Sequence, residues 1–168
     1  MSISLIQSQL KIIESRGVGS LVPDIVFIDE WSNVQSPTYE IDSLAEINHS
    51  SYLFHKYLLR SEIDCSRIYF TWAEKGWMYS EDEWHESLKK ELELLKPKIV
   101  VALGDRKVPK MLLKIKDMMR DFAWFHKIHS PCVVNRFYDD DSFYLDELNF
   151  LARDYQNGEI VALNKSFR

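Results

Sequence analysis

The chain has 168 residues, 46% of them hydrophobic and 28% charged, with a formal net charge of −5. That length suits one domain with a sizeable core, and the composition is the one expected of a soluble globular protein. No apolar run approaches the roughly 20 residues of a membrane span, and the acidic balance weighs against nucleic acid unless a basic patch sits on the acidic body.

No basic-then-apolar leader precedes the first element, so a cytoplasmic location and no membrane partner are expected. Cys65 and Cys132 are the only cysteines. Two are too few for a four-cysteine zinc or iron–sulfur site, and both are expected to stay reduced.

Ile3 to Ile13 predicts an amphipathic helix through Leu5, Leu10, Ile12 and Ile13, ended by Gly17-Val18-Gly19, with a structural role. Pro23 to Ile28 is an apolar run with a proline at its start, which reads as the first strand. It ends on Asp29-Glu30-Trp31-Ser32-Asn33. In open parallel sheets ligands bind just beyond the carboxyl ends of strands, so these two adjacent carboxylates are placed for chemistry. A solvated loop in which Ser32 or Asn33 caps a turn fits the same residues. Gln35 to Asn48 is polar, contains Pro37, and reads as a loop lining a pocket.

His49 to Ser61 returns to helical spacing through Tyr52, Leu53, Tyr57, Leu58 and Leu59. Arg67 to Thr71 is the second strand, followed by Trp72-Ala73-Glu74-Lys75-Gly76-Trp77. Two tryptophans and a lysine at a strand's carboxyl end can stack a base and hold a phosphate. Core packing is the commoner fate of tryptophan and is expected for one of the two.

Ser80 to Leu113 organises the rest. Ser80 and Glu83 form a capping box, and Trp84, Leu88, Leu92 and Leu95 give the helix behind it one apolar face. Lys96-Pro97 stops that helix. Ile99 to Leu103 is a short apolar run suited to a strand buried on both faces. Gly104-Asp105 turns the chain into a second helix, Lys107 to Met119, with Pro109 tolerated in its first turn. Leu103 to Lys107 is only a weak version of a phosphate cradle. Arg106, Lys107, Lys110, Lys114 and Lys116 offer either a basic patch or an ordinary solvated face.

Ala123 to Ile128 is the fourth strand, followed by His129-Ser130-Pro131. A histidine at that point can donate a hydrogen bond to charge developing on a leaving group, or can satisfy the turn backbone. Position alone leaves both open. Asp139 to Asp141 marks a helix start rather than a metal site. Phe143 to Tyr155 is a terminal helix through Leu145, Leu148, Leu151 and Ala152. The parts make one α/β domain over residues 1–168 with four strand candidates, without internal repeats.

The assembled parts resemble the uracil-DNA glycosylase superfamily, in particular its small bacterial and archaeal branch. Glu91 to Asp105, ELELLKPKIVVALGD, is similar to that branch's helix–strand signature. Tyr52 to Lys75 resembles its helix–turn–strand that closes on Thr-Asn and a nearby Lys. HSPCVVNR, from His129 to Arg136, resembles the histidine-initiated loop that enters the DNA minor groove. The likeness covers roughly residues 21 to 138 and implies a three-layer α/β/α sandwich with a mainly parallel sheet of four strands. The departures are as specific. The first-strand Gly-X-X-Pro motif is replaced by Asp29 to Asn33, and the base-reading Asn falls at Trp72, which lacks an amide's paired donor and acceptor. That branch usually carries an iron–sulfur cluster, whose cysteines are missing here, so no cofactor is expected.

The resemblance implies base flipping and hydrolysis of an N-glycosidic bond in DNA, single- or double-stranded, by a monomer. Asp29 or Glu30 would orient the water, and His129 would stabilise the departing base. Trp31, Trp72 and Asn33 would hold the base. Lys75, Ser130, Asn135 and Arg136 would contact DNA. The altered pocket implies a damaged or modified base rather than plain uracil. The alternative is a protein that kept this fold without the reaction and binds nucleic acid, a nucleotide or a protein partner.

Overall fold

The computed structural model describes residues 2–12, 17–32, 40–75, 79–104, 106–120 and 123–157. Its elements in chain order are α1 (Ile3–Ile12), β1 (Val18–Gly19), β2 (Ile25–Ser32), α2 (Leu44–Ile47), α3 (His49–Arg60), β3 (Ile68–Lys75), α4 (Glu81–Leu95), β4 (Ile99–Leu103), α5 (Lys107–Met119), β5 (Trp124–Ile128), α6 (Pro131–Phe137) and α7 (Ser142–Asn157).

The strands form one sheet in the order β1-β3-β2-β4-β5. β2 runs parallel to both β3 and β4, and β5 runs parallel to β4. The four expected strands are therefore the parallel ones. The fifth, β1, corrects the expected count: Val18 and Gly19 pair antiparallel with Phe70 and Tyr69 at the edge. Two residues carry no alternation to read, and their glycines looked like a helix stop. Gly17 is needed for close approach, because a Cβ there would come within 2.1 Å of the Phe70 carbonyl oxygen.

Alternate residues of the parallel strands point to opposite faces, and each face carries its own apolar layer. Ile25, Phe27, Phe70, Val101 and Leu103 pack with Leu44 of α2, Phe54 and Leu58 of α3, Val134 of α6, and Tyr144, Leu148 and Leu151 of α7. Phe27, Phe54, Phe70 and Trp72 make a run of aromatic neighbours through this layer, with ring centres 4.9–5.3 Å apart. Val26, Ile28, Val100 and Ala102 pack with Ile6 and Leu10 of α1, Leu88 and Leu92 of α4, and Val108, Leu112 and Ile115 of α5. The result is a three-layer α/β/α architecture.

The capping box at the start of α4 is present: Glu83 Oε2 accepts from the Ser80 amide at 2.6 Å, and Ser80 Oγ accepts from the Glu83 amide at 3.3 Å. α4 ends at Lys96, which takes left-handed geometry at φ 42° before Pro97. No described helix is long and apolar enough to cross a membrane.

Candidate functional site

The connection from β2 to β3 runs through α2 and α3 on one face, whereas β4 leads into α5 on the other. Strands β2 and β4 are neighbours, so their onward connections diverge and leave a crevice beyond their carboxyl ends. Such a switch point is where open α/β sheets bind ligands. A cleft of about 790 Å³ opens there, lined by Glu30 of β2, Leu103 and Gly104 at the end of β4, Arg106 and Lys107 at the start of α5, and His129 and Ser130 after β5. Arg136 and Phe137 of α6 and Glu147 of α7 complete its other wall.

Gly104 makes the turn from β4 into this wall. It sits at φ 95°, where an L side chain is strained, and its amide donates to the Ile128 carbonyl at 2.8 Å. That bond ties the end of β4 to the end of β5 one residue before His129.

His129 is held by the last helix. Its Nδ1 lies 2.9 Å from Glu147 Oε1 and 3.2 Å from Oε2, and its backbone amide donates to Oε2 at 3.4 Å. A carboxylate only accepts, so Nδ1 carries the proton and Nε2 is the nitrogen left for a ligand. The ring stands edge-on to Phe143 at 5.3 Å and Tyr138 at 6.1 Å, which restricts its rotation. Glu147 is the residue that sequence reasoning missed.

Glu30 points to the α5 side, with Lys107 Nζ 3.7 Å from its Oε1. The same ammonium donates to Glu74 Oε1 at 2.7 Å, and this bond, followed by Glu74's charge, holds the lysine pKa above its usual range. Arg106, Lys127 and Arg136 also line the cleft, and none of the three has an ion-pair partner among the described residues.

Asp29, expected beside Glu30 in the chemistry, occupies the opposite face of β2. It is 4% exposed and accepts from Ser50 Oγ at 2.6 Å and from the Glu30 amide at 2.8 Å. Burial raises its pKa against the pull of those two bonds. Its surroundings include Cys132, whose thiol burial also pushes up, and the buried Tyr144 hydroxyl.

Two of the expected ligand contacts need correction. Trp72 is 1% exposed, lies inside β3 rather than beyond it, and packs edge-on to Phe70; no base can reach its ring. Lys75 is 2% exposed and pairs with Glu91, so it cannot meet a phosphate. Burial pulls its pKa below the ordinary lysine range, against the opposing charge of Glu91. Glu91 also accepts from Tyr69 Oη at 2.8 Å, Thr71 Oγ1 at 2.8 Å and the Gly17 amide at 2.7 Å, so the pair knots α4, β3 and the start of β1 together.

The remaining expectations divide. Trp31 is 44% exposed at the end of β2, and its carbonyl accepts from Asn48 Nδ2 at 3.2 Å. Asn33 lies outside the described residues. Ser130 and Arg136 line the cleft, and Asn135 is exposed on α6. The segment after His129 is a helix and not the expected loop, with Pro131 at its first turn, where a missing amide costs no hydrogen bond. Among the described residues no group of three or more His, Cys, Asp or Glu side chains is placed to hold a metal ion. No protein-family model matches this chain, and no curated protein matches it.

Proposed function

We propose that this protein is a glycosylase-like hydrolase that cleaves the N-glycosidic bond of a damaged or modified base in DNA. The observation that carries the reading is a histidine held by a carboxylate, His129 on Glu147, lining the same switch-point cleft as Glu30. Hydrolysis of that bond needs two things from the protein. One is a carboxylate to orient water and to oppose positive charge on the sugar. The other is a donor for the negative charge on the departing base.

Glu30 takes the first part, and His129 takes the second as the imidazolium, with Nδ1–H on Glu147 and Nε2–H turned to the base. The water oxygen bonds to the sugar carbon as the carbon–nitrogen bond breaks. The electron pair leaves with the base, and the water proton passes to Glu30. Arg106, Lys127 and Arg136 supply the local positive charge that an acidic protein needs to hold phosphates. The superfamily resemblance supports the same assignment for His129. Asp29 has no part in it, because its carboxylate faces the interior on the other side of β2.

Binding without hydrolysis is the second reading, and Trp72 favours it. The position at which the resemblance puts a base-reading amide is filled by a core side chain. The experiment is an alkaline strand-scission assay on oligonucleotides carrying uracil, hypoxanthine, mismatched thymine or hydroxymethylated bases. Scission on one of them that disappears in Glu30→Gln and His129→Ala supports hydrolysis. Binding of the same oligonucleotides with no scission supports the second reading.

A further inference from the structure

Helix α6 presents Val133, Arg136 and Phe137 to the cleft, at the i, i+3, i+4 spacing that puts them on one face. Phe137 is 69% exposed, the most exposed large hydrophobic side chain among the described residues, and the Arg136 guanidinium lies 5.3 Å from its ring centre. An exposed ring with a guanidinium beside it, at the mouth of a cationic cleft, suits an unpaired base and the phosphate next to it.

The charge around this platform is narrow. Arg106, Lys127 and Arg136 form its positive side together with Lys107. Carboxylates bound it: Glu74 bonds Lys107 at 2.7 Å, and exposed Asp139 and Asp140 follow directly after Phe137 and Tyr138. A duplex brings two phosphate rows separated by a groove of roughly 6 to 12 Å. The cations here line one cleft, with the carboxylates of Glu30 and Glu147 in the same lining, in a protein of net charge −5. A single strand has one row and open base faces.

We propose that the cleft takes single-stranded nucleic acid, with Phe137 as the residue on which a base next to the target stacks. The inference rests on the reading of the cleft as a nucleic-acid site and deepens it by naming the strand state.

The test is fluorescence anisotropy of the full chain with a labelled single-stranded DNA of about 12 nucleotides and with its duplex. Phe137→Ala and Phe137→Trp are measured beside the wild type. We expect the single strand to bind at least about tenfold tighter than the duplex, Phe137→Ala to lose about tenfold on the single strand, and Phe137→Trp to keep the wild-type affinity. Equal or tighter duplex binding overturns the proposal, as does an unchanged Phe137→Ala or the absence of binding to either probe. Abasic-site formation is scored separately. Single-strand preference with no abasic product leaves this inference standing and removes the hydrolase reading. Abasic product from duplex alone does the reverse.

Discussion

His129 Nδ1 and Glu147 Oε1 lie 2.9 Å apart, and this one pair joins the end of the last strand to the last helix. The bond keeps a proton on Nδ1 and turns Nε2 outward, so it decides which nitrogen a ligand meets. In the proposed reaction Glu147 would act through His129, as a positioning residue. Glu147→Gln removes the negative charge facing the imidazolium and offers either end of an amide to Nδ1. Single-turnover base release should fall, by an amount on the order of the 10²–10⁴-fold that a positioned proton-transferring side chain contributes, or less. Substrate affinity and the urea midpoint should hardly change, because both side chains are partly exposed.

Lys75 and Glu91 make the opposite kind of pair, buried and structural. Removing one charge leaves the other uncompensated in the interior, and such losses run to about 3–5 kcal/mol. Glu91→Gln should therefore lower unfolding free energy by about that much in urea titration. Lys75→Met combined with Glu91→Gln should recover part of the loss, since no lone ammonium then remains. If the double variant is as weak as the sum of the singles, the pair is not coupled as the geometry requires.

Asp29 gives a pH dependence with a definite sign. Burial raises its pKa in the folded protein above the ordinary value of 3.8. The folded state thus binds the proton more tightly than the unfolded state. The stability it contributes is fully present below about 3.8 and is lost as pH rises through the raised folded value. Asp29→Asn, which still accepts from Ser50, should flatten the urea midpoint across that window and should be relatively more stable at its upper end.

The cations of the cleft should act as phosphate contacts. Arg106→Ala, Lys127→Ala and Arg136→Ala should each weaken DNA binding similarly on any sequence, and each should reduce the slope of log affinity against log salt by about 1. Lys110→Ala, on the same helix as Lys107 but outside the cleft lining, should leave the slope unchanged.

Gly104→Ala tests the turn itself. A Cβ there would meet Ser130 Cβ at 3.7 Å, ordinary contact, so the cost comes from the backbone at φ 95°. Thermal unfolding should show a loss of about 1–2 kcal/mol.

The parallel core was legible because Ile25 to Ile28, Ile68 to Phe70 and Ile99 to Leu103 are apolar runs that read as strands buried on both faces. The switch-point location of Glu30 followed from the same reading. The fate of Trp72 and Lys75 did not, because β3 stays buried past its apolar stretch. A signal existed all the same: Glu91 falls on the Leu88–Leu92–Leu95 stripe of α4, and a carboxylate on an apolar face calls for a buried cation or hydroxyls. Glu147 left no such mark, since its partner is 18 residues away and the pairing is purely tertiary. Helix α6, at seven residues, is too short to show a period.

The central claim is that Glu30 and His129 hydrolyse an N-glycosidic bond in the cleft between β2 and β4. The most direct measurement is chromatographic detection of free base released from the modified oligonucleotides by the wild type, Glu30→Gln and His129→Ala, with folding checked by circular dichroism. The account predicts stoichiometric release of one base by the wild type, and a loss of about 100-fold or more in each variant. A folded wild type that releases no base from any substrate, or variants that release it at the wild-type rate, would contradict it.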